Sequence, residues 1–217
     1  MSLYSPPQFT LHDRAAIARL MHERAFATLV TSTEEEPMVS HLPLLLVLGC
    51  EPHGMLIGHF ARANPHWQLA REVPSIAIFH GPHAYISPSW YAAPSRMVPT
   101  WNYASVHAHG TLEIVEDAAE AQGIMDALVH RFEAARTAPW TFERESRERD
   151  ALMGAIVPFR MRIRRVDAKF KLSQNRSPDD RARVIAALRA EGHPESGETA
   201  DWMQRYADPH DGRDDLR

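Results

Sequence analysis

Residues 85–110 read YISPSWYAAPSRMVPTWNYASVHAHG, and the rest of the chain is interpreted as a scaffold around them. They hold two of the five tryptophans and three of the five tyrosines, and no Asp or Glu occurs from residue 73 to 112. The second half opens a predicted long strand, 101–115, in which Gly110 indicates a bulge or a close backbone approach. Exposed aromatic surface is usually covered, so we expect a ligand or a second subunit on this segment.

The flanking segments predict a strand-rich fold with inserted helices. Because strands and helices do not alternate as βαβ units, an α+β fold around a small antiparallel barrel is expected. The predicted strands cover 26–31, 38–48, 54–60, 75–80 (ended by Gly81-Pro82), 101–115 and 157–164. The predicted helices cover about 11–24, a segment starting at Asn64 and Pro65, a segment after an Asp117 cap, and one from Ser177 to Gly192.

Length and composition are those of an ordinary globular protein. A chain of 217 residues can bury a core without metals or disulfides, and Cys50 is its single cysteine. A net charge of −4 argues against general nucleic-acid binding. No basic and apolar leader precedes residue 10, and the apolar run 42–49 is too short for a membrane span. We therefore expect a soluble, cytoplasmic protein without membrane contact.

The junction Arg62-Ala63-Asn64 has the features of an anion site. A helix that starts after Asn64 presents unpaired N–H groups and a partial positive charge at its first turn. Arg62 adds a planar set of donors that suits a phosphate. The alternative is a capped surface helix with a solvated arginine, because no glycine-rich loop accompanies the junction.

Two further polar motifs are weighed as sites. His107-x-His109-x-x-x-Glu113 has the spacing of a metal site on one strand face, but a structural or ligand-facing role is the alternative. The row Arg160, Arg162 and Arg164 could bind a phosphate or nucleic acid, whereas a solvated strand face is the simpler interpretation. Cys50 has no evident base beside it and no serine hydrolase motif occurs, so no catalytic residue and no metal are assigned.

The aromatic residues of 85–110 are flanked by prolines instead of alternating with polar residues. Planar side chains on a stiff frame suit a flat ligand such as an isoalloxazine or a haem, and they suit a dimer interface equally well. From the residues alone, the expected ligand is flat and anionic.

Several motifs, taken together, resemble the PaiB-type proteins, a family of FMN-binding negative transcriptional regulators. These motifs lie in the family's order over residues 1–190, and the acidic segment 191–217 matches none of them. They are His41-Leu42-Pro43, Gly58-His59-Phe60-Ala61-Arg62-Ala63-Asn64-Pro65, Ser87-Pro88-Ser89-Trp90-Tyr91, Val98-Pro99-Thr100-Trp101-Asn102-Tyr103 with His107 and Gly110, and Lys171-Leu172-Ser173-Gln174-Asn175-Arg176.

The resemblance implies an FMN-binding split β-barrel of six antiparallel strands with peripheral helices, related to pyridoxamine phosphate oxidases and flavin reductases. It implies a homodimer with FMN sites at the subunit interface. The implied phosphate end is Arg62-Ala63-Asn64, while the oxidases' Ser-Arg-Lys cluster is reduced here to one arginine and an asparagine. The other implied FMN contacts are His41, His59, Thr100, Trp101, Asn102, Lys171 and Gln174, with Lys171 at a position where the oxidases have arginine.

The resemblance predicts a dimeric FMN-binding regulatory protein, with a split-barrel domain over 1–190 and an acidic tail over 191–217. The sequence contains no convincing helix-turn-helix pair, so direct DNA binding is not expected. One alternative is a flavin-dependent oxidoreductase or flavin reductase that acts on a small molecule. A third, weaker alternative is haem binding on the same fold, with a histidine as axial ligand. The tail is interpreted either as partly disordered or as a last helix anchored by Trp202 and Met203.

Overall fold

A computed structural model describes residues 3–49, 52–141 and 147–206, and the α+β class is confirmed. The strands are β1 (Phe26–Thr31), β2 (Met38–Pro43), β3 (Leu45–Val47), β4 (Met55–Ala61), β5 (Pro74–Ile86), β6 (Thr100–Ile114) and β7 (Ile156–Lys171). Their order in the sheet is β2-β1-β5-β6-β7-β4-β3. The helices are α1 (Arg14–Glu23), α2 (His66–Leu69), α3 (Ala118–Glu133), α4 (Arg147–Gly154), α5 (Pro178–Ala190) and α6 (Pro194–Arg205). Single 3₁₀ turns cover Pro7–Phe9, Pro88–Trp90 and Pro94–Arg96.

The expected count of six strands is wrong, because the described part of the sheet has seven. The predicted strand 38–48 is divided at Leu44, whose N–H donates to the carbonyl of Ala25 at 2.8 Å. On one side of this point β2 pairs antiparallel with β1, and on the other β3 pairs antiparallel with β4. One continuous apolar run therefore supplies strands to two different partners, which periodicity alone does not reveal.

The predicted break at Gly81-Pro82 is also wrong, since β5 continues through both residues to Ile86. Buried positions fall on odd residues up to Gly81 and on even residues from Pro82 onward, and this phase shift is what a bulge produces. A Cβ atom at Gly81 would lie 2.8 Å from the Cβ of Ala104. The glycine is therefore needed for close packing and does not end the strand.

Gly110 has the predicted close backbone approach. A Cβ atom built on it would overlap the carbonyl oxygen of Arg162. No side chain larger than hydrogen fits at this point of β6 without moving β7. The expectation drawn from the glycine in the long strand is confirmed.

Two of the four helices, α3 and α5, start at their predicted capping residues, whereas α1 starts at Arg14, three residues after the predicted start, and is capped by Asp13. The side chains of Asp13, Asp117 and Ser177 accept hydrogen bonds from backbone N–H groups in the first turns of α1, α3 and α5. The helix predicted from Asn64 is only the four-residue α2, and its cap is Pro65 instead of Asn64. Asn64 Oδ1 nevertheless accepts a hydrogen bond from the N–H of His66 at 3.0 Å.

The acidic segment after Gly192 contains α6, with Trp202 and Met203 buried as one of the two interpretations expected. Trp202 packs against Phe170, with ring centroids 5.3 Å apart. Residues 207–217 lie outside the described part of the chain, and the domain boundary at 190 remains a prediction. Among the described residues, no helix is long and apolar enough to cross a bilayer.

The described chain divides into two compact units. The first unit contains residues 3–20, 80–106 and 167–206, and thus α1 in part, α5 and α6. The second unit contains residues 21–79 and 107–166, with gaps at 50–51 and 142–146, and includes β1 to β4 and α2 to α4. The residues proposed from the sequence fall into both units, and each unit is described separately.

Candidate functional site

The turn after β4 in the second unit carries the predicted phosphate residues. Arg62 donates from Nε to the carbonyl of Gly154 at 2.6 Å and from Nη2 to the carbonyl of Ile156 at 2.8 Å. These bonds fix the end of α4 and the start of β7 to the turn. Arg62 is exposed, as the solvated-arginine alternative expects, but its guanidinium group also holds two backbone segments together.

Asn64 starts a buried chain of polar side chains in the second unit. Its amide donates to Ser40 Oγ at 3.0 Å, and Ser40 Oγ contacts His66 Nδ1 at 2.8 Å. On the other side of the ring, His66 Nε2 contacts Thr31 Oγ1 at 2.8 Å, which contacts Ser75 Oγ at 2.7 Å. Ser75 Oγ donates to the carbonyl of Val73 at 3.1 Å and ends the chain.

The direction of every hydrogen bond in this network follows from its last member. A carbonyl only accepts, so the Ser75 proton is committed to Val73 and Thr31 must donate to Ser75. Thr31 then accepts from His66 Nε2–H, which leaves Nδ1 to accept the proton of Ser40. Burial lowers the pKa of the His66 imidazole below its usual value, which favours this neutral ring with its proton on Nε2. We call these five residues the His66 network: Thr31, Ser40, Asn64, His66 and Ser75.

His41 and His59 lie on strands of the second unit in different environments. His41 is exposed on β2, with Nδ1 3.1 Å from Thr28 Oγ1. His59 is half-buried on β4, and burial lowers the pKa of its ring. The neighbouring Phe60 packs against His66 and Phe159, at centroid distances of 5.3 and 4.8 Å. His59 points to the opposite face of β4, and its Nδ1 is a buried atom without a hydrogen-bond partner in the described part.

The histidine motif on β6 and the first arginine of β7 belong to the second unit as well. Arg160 donates to Glu113 at 2.8 Å and to Glu120 at 2.6 Å. These carboxylates raise the pKa of the Arg160 guanidinium, and the hydrogen bond to Glu113 is the largest cause. His109 contacts Arg165 at 3.1 Å. Glu113 is thus committed to an arginine, and within the described ranges no group of three or more His, Cys, Asp or Glu side chains could hold a metal.

The first unit brings together the other predicted residues. Lys171 Nζ donates to Thr100 Oγ1 at 2.7 Å and to the carbonyl of Trp101. Asn102 is buried, and its amide donates to Ser173 Oγ at 2.9 Å. Gln174 donates to the carbonyl of Phe170 and accepts from the N–H of Leu172 at 2.8 Å, so it shapes the turn after β7. Ser173 stands in this turn with a φ of 64°, a left-handed conformation that is strained for serine.

Three cations of the first unit lie over aromatic rings. Lys169 Nζ is 5.3 and 5.2 Å from the ring centroids of Tyr4 and Tyr103, Lys171 Nζ is 5.9 Å from Phe9, and Arg176 is 5.4 Å from Tyr91. Within the described residues, none of the three forms an ion pair with a carboxylate. Burial, followed by repulsion from Lys169 and then Arg176, lowers the pKa of Lys171. Such a region favours an anion.

An open pocket of about 450 Å³ lies beside these residues in the first unit. It is lined by His80, Gly81, His83, Trp101, Tyr103 and Ala104. Trp101 is 52% exposed, which is unusual for so large a ring. Trp101 was predicted from the sequence, but His80 and His83 were not, because histidines in an apolar strand give no local signal of a pocket.

FMN consists of a flat ring system and a phosphate, and each unit, taken by itself, contains residues that suit one of these two parts. At the turn after β4, Arg62 Nη1 and the N–H of Ala63 have no hydrogen-bond partner among the described residues, so these two donors are available for phosphate oxygens. The half-exposed Trp101 in the first unit suits a flat ring. The ten proposed contacts comprise five residues in each unit: His41, His59, Arg62, Ala63 and Asn64 in the second, and Thr100, Trp101, Asn102, Lys171 and Gln174 in the first.

Comparisons with known proteins identify relatives that match most of the chain. A family model described as "Putative FMN-binding domain" matches residues 3–165. The chain is 34% identical, over 204 residues, to "Protease synthase and sporulation protein PAI 2" of Bacillus subtilis (strain 168), which covers 93% of this chain and 97% of the relative.

Solved structures share the fold at low sequence identity. The FAD and heme binding protein from Mycobacterium smegmatis superimposes with a TM-score of 0.58 at 20% identity, over 75% of this chain and 73% of that one. The flavocytochrome Anf3 from Azotobacter vinelandii gives a TM-score of 0.59 at 14% identity, over 80% of this chain and 75% of that one.

The fold expected from the resemblance is confirmed as a flavin-binding split barrel, with seven strands in place of six. FMN is the cofactor that the family assigns to the chain. The family model spans most of the sequence, and the relative from Bacillus subtilis is matched over nearly its full length. The chain therefore belongs to the PaiB-type family of FMN-binding domains.

Proposed function

We propose that this protein is a cytoplasmic, homodimeric FMN-binding regulator of the PaiB type. The observation that carries the proposal is the match, over nearly the full length of both chains, to a relative named for protease synthesis and sporulation. In addition, Arg62 Nη1 and the N–H of Ala63 have no hydrogen-bond partner among the described residues and are available to donate to a phosphate. A flat aromatic wall around the half-exposed Trp101 supports ring binding or coverage by a second subunit.

Regulation through direct DNA contact receives little support from the helices of the first unit. Only residues 191–193 separate α5 from α6, and Gly192 adopts a φ of 69°, so the connection has the length of a helix-turn-helix. Helix α6 carries three carboxylates, Glu195, Glu198 and Asp201, against the single cation Arg205, so its net negative charge opposes binding to phosphates. We therefore infer that regulation acts through a ligand or a partner protein.

Two measurements on the purified protein test this proposal. Titration with FMN should quench flavin fluorescence with one FMN bound per subunit, and light scattering should give twice the mass of one chain. Absence of any FMN binding would contradict the cofactor assignment for this chain. A monomeric mass at micromolar concentration would contradict the proposed homodimer.

The second candidate function is a flavin-dependent oxidoreductase or flavin reductase, and the histidine-lined pocket of the first unit favours it. Bound flavin supplies hydride or electron transfer, so the chain's own residues need only bind and orient the second substrate. NAD(P)H oxidation in the presence of FMN distinguishes the two functions. Turnover well above that of free FMN would favour the enzyme, whereas none with either donor would favour the regulator.

Haem binding remains the third candidate, because two structures of the same fold are described as heme-binding or as a flavocytochrome. A Soret band on haem titration that is lost in His41→Ala would support it. No band in the unmodified protein would remove it.

A further inference from the structure

The outer face of β7 in the second unit carries a row of arginines at alternate positions. Met161 and Ile163 are fully buried. Arg162 and Arg164 are exposed. Because alternate residues of a strand share a face, Arg160, Arg162 and Arg164 all point away from the core. Neighbouring members of the row start about 6.7 Å apart along the strand.

Arg160, the first member of the row, shows which groups a guanidinium on this face binds. Its Nε donates to Glu113 at 2.8 Å, and its Nη1 donates to Glu120 at 2.6 Å. Glu120 lies in the first turn of α3, so this guanidinium joins the helix to the sheet. Carboxylates therefore reach the row and form charge-assisted hydrogen bonds with it.

The other two members of the row have no such carboxylates. Among the described residues, neither Arg162 nor Arg164 forms a hydrogen bond or an ion pair through its side chain. The two carboxylates that do reach the row are both bound to Arg160. The side chain that follows Arg164 is another cation, Arg165, which contacts His109 at 3.1 Å. This end of the face thus carries positive charge that no described carboxylate compensates.

The backbone that carries these charges is held on both sides, because β7 lies between β6 and β4 in the sheet. Arg162 is the register partner of Met55, and the N–H of Ile163 donates to the carbonyl of Gly54 at 3.1 Å. On the β6 side, the carbonyl of Arg162 lies so close to Gly110 that no larger side chain fits there. A rigid strand fixes the spacing of the charges, which favours a ligand whose own charges have the same spacing.

We propose that Arg162 and Arg164 form a docking surface for an extended acidic segment of a partner protein, with carboxylates at alternate positions. Alternate side chains of an extended peptide lie on one side and also about 6.7 Å apart, so each carboxylate meets one guanidinium. The planar guanidinium suits a carboxylate, and arginine clusters are a recurring means of binding acidic motifs. The surface requires neither FMN nor a second subunit, so it goes beyond the proposed function.

The test compares two labelled peptides of identical composition, titrated with the full-length protein and followed by fluorescence anisotropy. One peptide alternates Glu and Thr, and the other has all its glutamates in one block. We expect the alternating peptide to bind more tightly, with an affinity that falls as the salt concentration rises. No binding of the alternating peptide, or equal affinity for the two, would overturn the proposal. Tighter binding of a single-stranded oligothymidylate would also overturn it, because the ligand would then be a nucleic acid.

Variants assign the binding to the row. Arg162→Gln and Arg164→Gln should each weaken binding of the alternating peptide about two- to fivefold, the range of an exposed ion pair, and the double variant should weaken it further. Arg183→Gln is the matched control, because Arg183 is exposed but lies on α5 of the first unit, and it should leave the affinity unchanged. An equal loss in Arg183→Gln, or no loss in the double variant, would contradict the assignment.

FMN binding measured on the same samples separates this surface from the proposed function and shows that the variants are folded. The double variant should bind FMN as the wild type does, and the peptide should bind equally well with and without FMN. If the wild type binds the peptide but not FMN, the cofactor proposal fails and the docking surface stands. If FMN displaces the peptide, or the double variant loses FMN, the arginines belong to the flavin site and a separate surface is excluded.

Discussion

The His66 network of the second unit and the three cations of the first unit differ in how their polar groups are paired. In the second unit, every side chain of the His66 network is hydrogen-bonded to another member of the network, and His66 is fully buried. In the first unit, three cations lie over aromatic rings without carboxylate partners, beside an open pocket. A closed network stabilises a turn, whereas positive charge without carboxylate partners and an exposed tryptophan suit a flat, anionic ligand.

His66→Leu is expected to have the largest effect on this contrast. It leaves the hydroxyl proton of Ser40 and the oxygen of Thr31 without partners in the interior, at a cost of roughly 3 kcal/mol in the free energy of unfolding. Urea denaturation measures this, with the exposed His12→Leu as control. A loss below about 1 kcal/mol would show that the network does not stabilise the turn.

Arg62→Ala should have the next largest effect, and it probes both stability and binding. Loss of the two bonds to Gly154 and Ile156 should lower the free energy of unfolding by about 2 kcal/mol. FMN should bind more weakly, while riboflavin, which lacks the phosphate, should be unaffected. Arg71→Ala, which removes an exposed arginine paired with Glu116, is the control. Equal weakening of both flavins by Arg62→Ala would contradict phosphate binding at this turn.

The pH dependence of stability should reveal the buried histidines of the second unit. Burial lowers the folded pKa of His66 and of His59, so the unfolded chain binds more protons as the pH falls below about 6.5. The free energy of unfolding should therefore decrease from pH 7.5 to pH 5.5, and the decrease should stop once the pH is below the folded pKa values. His66→Gln should flatten this dependence in urea denaturation, while His12→Gln should not. An equal slope in the wild type and His66→Gln would contradict the account.

Lys171→Met should have the smallest effect on stability. The variant loses the bonds to Thr100 and Trp101 but also removes the cost of burial and the repulsion from Lys169 and Arg176, so we expect a net change within about 1 kcal/mol. The folded pKa of Lys171 is lowered, so the wild type should gain stability relative to the variant as the pH rises toward about 10.4. A loss of several kcal/mol near pH 7, or a relative loss at high pH, would show that Lys171 is a satisfied structural cation.

Local signals in the sequence predict much of this fold. The helix caps at Asp117 and Ser177 can be recognised from residues a few positions away in the sequence. The same holds for strand β7, which is recognised by its alternating residues. The close approach at Gly110 was also predictable, because a glycine inside a long strand often marks a place where another backbone comes near. The family motifs, taken together, predicted FMN as the cofactor and the split barrel as the fold.

Other features depend on contacts between distant segments and were missed. Gly81-Pro82 reads locally as a break, but its packing against Ala104 keeps it within β5. His66 meets Ser40 and Thr31 across 26 and 35 residues of sequence. His83 Nε2 lies 3.2 Å from Glu195 Oε1, in a segment that was interpreted from the sequence as an acidic tail. No local pattern contains this information.

Binding of the FMN phosphate at the turn Arg62-Ala63-Asn64 can be tested by comparing FMN with riboflavin, which lacks only that phosphate. Parallel titrations of the wild type and Arg62→Ala with FMN and riboflavin give four dissociation constants. The account predicts that the wild type binds FMN more tightly than riboflavin, and that Arg62→Ala removes most of this preference. Equal affinity of the wild type for the two flavins, or a preference for FMN that survives in Arg62→Ala, would contradict it.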